Sequence, residues 1–145
     1  MRTLLSVLVI FISNEASAFP SGIWEGDISY RVSNGSGRKH CLVEIESSRG
    51  ELKIISNENC LYGVEPRSRY RIGYNGDLFN RRGDYVGSIS KDSIVLGFHH
   101  SIQSKTGWPA DWDLVFNLDA NSLRIAEDFI FEYEYHSSGL IRKLE

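Results

Sequence analysis

From residue 23 onward, apolar and polar side chains alternate with a period of two, the pattern of strands that bury one face. In 23–32, Trp24, Gly26, Ile28, Tyr30 and Val32 fall on one side and Glu25, Asp27, Ser29 and Arg31 on the other. Asn34-Gly35-Ser36-Gly37 makes a turn, after which Cys41, Val43 and Ile45 share the inner face of a strand at 39–47. Ser48-Arg49-Gly50 turns the chain into 51–56. Tyr70, Ile72 and Tyr74 alternate in 69–74, and Asn75-Gly76, the strongest two-residue hairpin signal present, leads into 77–79. A short strand at 85–89 precedes one at 93–99, where Ile94, Leu96 and Phe98 share a face. Beyond a long polar connection at 101–110, Trp112, Leu114, Phe116 and Leu118 alternate with Asp113, Val115 and Asn117. The pattern then predicts strands at 123–126 and 129–136, the second with Phe129, Phe131, Tyr133 and Tyr135 on one face. Ser137-Ser138-Gly139 is expected to reverse the chain into 140–144.

This pattern predicts one all-β domain at 19–145, a single antiparallel meander of about 8–10 strands. Consecutive short hairpins build a closed or nearly closed barrel naturally, and closure removes exposed edges; an open β-sandwich is the alternative.

The first 18 residues do not fit that pattern. Arg2 precedes an apolar run, Leu4 to Ile12, then a polar break at Ser13-Asn14-Glu15 and the small-x-small triplet Ala16-Ser17-Ala18. This is the order of parts in a cleaved secretory signal peptide, and the run is about half of the ~20 residues a membrane span needs. The expectation is an exported chain, periplasmic or extracellular and soluble after cleavage, with Phe19 as its first mature residue. Export places Cys41 and Cys60 in an oxidising compartment, where an even pair reads as a disulfide clipping the open end of the 39–56 hairpin. The net charge of −3 argues against a nucleic-acid partner. The densest basic group, Arg67, Arg69 and Arg71 with Arg81-Arg82, reads as a solvated edge.

Gly22-Ile23-Trp24 at the start of the first strand resembles the G-x-W signature of lipocalins and related calycin barrels. The resemblance implies a lipocalin-like barrel with Trp24 plugging one end beside a basic residue of the last strand, for which Arg142 is the candidate. Gly22-Ile23-Trp24-Glu25-Gly26, Cys41, Cys60 and Gly83-x-x-Val86-Gly87-x-Ile89 together also resemble small exported bacterial proteins of unknown function.

Catalytic fingerprints are missing: no G-x-S-x-G, phosphate-binding loop, dinucleotide motif or H-E-x-x-H occurs, so no cofactor or metal is implied. His99-His100, even with Asp111 and Asp113 nearby, reads as two exposed histidines, because neighbours on a strand face opposite ways. Glu132, Glu134 and His136 share a strand face and could do acid–base work, which keeps a hydrolase as a third reading. The aromatic residues are more suggestive. Trp24, Tyr30, Tyr70, Phe98, Trp112, Phe116, Phe131, Tyr133 and Tyr135 are expected on inward faces, where they fill the core or line a site for a small apolar or amphipathic ligand. The alternative is a protein-binding module or enzyme inhibitor acting through the loop that runs from Ser101 to Asp111, with Trp108 and Pro109 as its anchor.

Overall fold

A computed structural model describes residues 18–102, 109–131 and 133–144, with backbone alone for 99–102 and 109. The period-two segments form ten strands: β1 (Gly22–Val32), β2 (Gly35–Ser48), β3 (Glu51–Ser56), β4 (Arg67–Ile72), β5 (Asp77–Phe79), β6 (Tyr85–Ile89), β7 (Ser93–Ile102), β8 (Pro109–Asp119), β9 (Ser122–Ile130) and β10 (Glu134–Lys143). Every strand pairs antiparallel with its sequence neighbours, and β1 closes on β10 from Trp24↔Lys143 to Val32↔Tyr135. The result is a closed barrel rather than a sandwich. The described residues contain no helix long and apolar enough to cross a membrane. Residues 1–17, all but the last of the expected signal peptide 1–18, lie outside the described residues.

The two ends of the barrel differ. At the base the strands are joined by short turns, as at Gly73–Gly76, where Gly76 adopts a φ of +90° that disfavours any other residue. The upper end carries the longer connections, including 57–66. Inward positions in the lower barrel are filled by Trp24, Ile28, Ile45, Leu52, Ile94, Leu96, Leu114, Phe116, Leu123 and Ile141, all essentially inaccessible to solvent. Phe19 closes the base, buried with its ring 6.4 Å from that of Trp24. Barrel width grows with strand number, and about eight strands already leave a lumen that side chains can fill. Ten therefore need more filling, which the large residues supply below and a loop supplies above.

Two expectations are corrected. The 129–136 segment is not one strand: β9 ends at Ile130, β10 begins at Glu134, and β10 runs straight through Ser137-Ser138-Gly139. Those small residues serve packing. A Cβ on Gly139 would stand 2.5 Å from the Ile28 Cγ2, so glycine is what lets β10 lie close against the core. The basic partner of Trp24 is Lys143, whose Nζ sits 5.7 Å from the indole, and not Arg142. Ile141 is buried, so strand alternation sends Arg142 outward and returns 143 to the inner side.

Candidate functional site at the upper mouth

On β9 the inward sequence is Leu123, Ile125, Glu127 and Phe129, which places a carboxylate among apolar side chains. Glu127 is fully buried. Its Oε1 accepts from the Tyr62 N–H at 2.7 Å, and its Oε2 from the Gly63 N–H at 2.7 Å and the Trp112 Nε1–H at 2.8 Å. Burial pushes the carboxyl above its ordinary pKa, opposed by these donors and by the charge of Lys39.

The two backbone donors belong to the β3–β4 connection, which folds over the upper lumen as a compact loop. Its neck is closed by Ser56 N–H donating to Pro66 O at 2.9 Å. Asn57 ties it to β2, accepting from Leu42 N–H at 2.8 Å and donating to His40 O at 2.9 Å. The Cys41–Cys60 disulfide joins it to the same strand, with the Cα atoms 5.0 Å apart. Leu61 and Val64 are buried beneath it. Gly63 lies flat on the Trp112 indole, so close that a Cβ would be 2.2 Å from Nε1.

An aromatic cluster surrounds this anchor. The Tyr62 ring stacks on Tyr135 at 4.8 Å and meets the Phe129 ring edge-on at 5.0 Å. Phe98 packs against Trp112 at 5.5 Å and Phe129 at 6.3 Å, and Phe131 extends the cluster from Phe129 at 6.4 Å. The hydroxyls of Tyr62 and Tyr133 share a hydrogen bond. These two rings remain 47% and 39% exposed, so the cluster reaches solvent. Lys39, on the inner face of β2, donates from Nζ to the Tyr135 hydroxyl and lies 4.9 Å from that ring's centroid. Burial lowers the pKa of its ammonium and raises that of the Tyr135 hydroxyl.

The inward aromatics named from sequence thus divide. Phe98, Trp112, Phe131, Tyr133 and Tyr135 meet at the mouth, whereas Trp24 and Phe116 are packed into the lower core. Tyr30 leans over Gly37, and Tyr70 is half-buried on β4 opposite Leu52. Sequence reading missed Glu127, Lys39, Tyr62 and Gly63. Parity carried a signal for the first two, since Lys39 is in step with Cys41 and Glu127 with Phe129. Nothing local marked the other two.

Two prominent hollows lie outside the lumen. One, of about 1210 Å³, opens at the base between turns, over Phe19, Ile72 and Ile89. It is walled mainly by turn residues. The other, of about 430 Å³, is a dip on the outer wall beside His136. His136 donates from Nδ1 to Asp128 at 2.5 Å and from Nε2 to Glu134 at 3.3 Å. His40 is held likewise by Asp27 at 3.2 Å and Glu25 at 3.1 Å. With both ring nitrogens engaged by carboxylates, each pKa is raised, so these imidazoles hold their proton more tightly than a free histidine. Glu132, Trp108 and the side chains of His99 and His100 lie outside the described residues.

Compared with known protein families, curated proteins and solved structures, the chain matches none.

Proposed function

We propose that the chain is an exported, non-enzymatic binding module that holds a small amphipathic molecule at its upper mouth. The observation that carries this reading is the convergence there of partly exposed aromatic rings with a half-buried lysine, above a lower barrel packed with large side chains. Rings with an apolar face and a polar tip suit a ligand that is itself amphipathic. The mouth replaces the barrel interior as the place of binding, because the lumen below it is occupied by the protein's own side chains. Export is supported by the order of charged, apolar and small residues in the leader and by the disulfide in the domain behind it. Trp24 beneath Lys143 at the base supports a lipocalin-like kinship.

Titration with 2-naphthylmethanol, followed through backbone amide shifts, tests the reading. Saturable shifts at Tyr62, Gly63, Tyr133 and Tyr135, with the residues around Trp24 unmoved, are expected. Shifts centred on the lower core, or no saturable shift, overturn it.

A further inference from the structure

We infer that the outer face of β4 binds a linear polyanion, a carboxylate-bearing polysaccharide chain, along the row Arg67, Arg69 and Arg71. Strand alternation sends these three outward, while Tyr70 and Ile72 turn in to pack against the core. Alternate residues on a strand are about 7 Å apart, so the three positive charges form a line. β4 is not the solvated edge that sequence suggests: it pairs with β3 on one side and β5 on the other. The row is a ridge on a closed wall.

Pairing within the protein does not account for the row. Lys53 of β3 stands directly opposite Arg69, and like charges so placed are unfavourable. Two carboxylates of this wall, Glu46 and Glu51, are taken by that lysine, each 3.8 Å from its Nζ. Among the described residues, Arg67, Arg69 and Arg71 have no ion pair. Water can solvate each guanidinium, but it gives no reason for four cations in one block of a chain whose net charge is −3.

The row also ends on an aromatic step. The Arg71 guanidinium lies 4.4 Å from the centre of the Phe79 ring, which meets the exposed Tyr85 ring at 6.2 Å. Stacking orients the guanidinium, and a planar fork takes both oxygens of a carboxylate at once. The row is one residue wide, because the outward positions beside it include Glu51 on β3 and Asp77 on β5. A broad anionic surface such as a membrane would press on those carboxylates too, whereas a single chain lying along β4 avoids them. The choice of a polysaccharide over a nucleic acid rests on the export reading above. That reading is tested separately, by whether the purified protein begins at Phe19.

The experiment compares polygalacturonate with its fully methyl-esterified form, which share a backbone and differ in charge. Binding is measured by isothermal titration at low salt, and added salt should weaken it. Wild type should bind the acid form about tenfold tighter than the ester. R67Q/R69Q/R71Q should reduce that preference to within about twofold. R31Q/R38Q/R124Q, which removes the same charge from exposed positions on β1, β2 and β9, should keep it. Each variant is first checked for a cooperative melt, and R67Q/R69Q, which leaves Arg71 on Phe79, serves if the first triple variant does not fold. Equal losses in the two triple variants overturn the inference, since bulk charge would then be what is read. Equal binding of acid and ester, or no binding of either, overturns it too. Tighter binding of phosphatidylglycerol vesicles or of oligo-dT than of polygalacturonate gives the row to a membrane or a nucleic acid and sinks the polysaccharide.

Discussion

A glutamate at an inward strand position is costly unless its oxygens are satisfied, and at Glu127 three donors do this at once. Truncation to Ala would strand two backbone N–H groups and an indole N–H. Glu127→Ala should therefore lower unfolding free energy by about 3 kcal/mol, measured by urea denaturation. Glu127→Gln retains one acceptor oxygen but turns an amide NH2 toward a donor, so a loss of about 1–2 kcal/mol is expected. If Gln, which keeps the volume, costs nothing while Ala costs as much as expected, the anchor is filling space and not accepting bonds. At this scale the sequence was only half legible. Parity placed Trp112, Phe116 and Tyr135 inside, and the same parity placed Lys39 and Glu127 there too. What the one-dimensional pattern lacks is the partner that makes a buried charge tolerable, because Tyr62 and Gly63 come from a loop 65 and 64 residues away in the chain.

At the scale of elements, the 57–66 loop has almost no secondary structure of its own and depends on its ties. The disulfide closes a separation of 19 residues, which in the chain-entropy picture stabilises by about 3 kcal/mol. Replacing Cys41 and Cys60 together with Ala should cost about that amount. It should also speed amide hydrogen exchange in 57–66 more than in β7–β9; a uniform increase would mean that the bridge stabilises the barrel as a whole. The β10 strand shows where local signals mislead. Ser137-Ser138-Gly139 reads as a turn, yet Gly139 is placed by its contact with Ile28, which only the folded barrel creates. Gly139→Ala should destabilise by about 1–3 kcal/mol through overpacking against Ile28, read by urea denaturation; a nearly neutral change would show that this contact does not fix the glycine. Hairpins with strong local chemistry, such as Asn75-Gly76, were read in place because their turn geometry is set by neighbouring residues.

For the whole molecule, closure of β1 on β10 is the long-range step, and the two carboxylate–histidine clamps stand on the strands that make it. His40 on β2 is held by Glu25 and Asp27 of β1, and His136 by Glu134 on β10 itself and Asp128 of β9. Hydrogen bonds to the carboxylates raise both pKa values above the ordinary 6.5. Folding therefore favours the protonated imidazoles. Their stabilisation is fully present below about pH 6.5 and disappears as pH climbs through the raised folded values. Glu127 acts in the same sense from lower pH: its carboxyl is raised by burial, so ionising it weighs more heavily on the folded chain as pH rises above its unfolded value. The urea midpoint at low salt should accordingly be higher at pH 6 than at pH 8.5. His136 should carry the larger share, since its side chain is 29% exposed against 55% for His40 and is less screened by solvent. A His136→Gln variant should lose most of the fall between those two pH values, and added salt should flatten what remains. An unchanged slope in that variant would place the pH dependence elsewhere and reduce the clamps to surface pairs that close nothing.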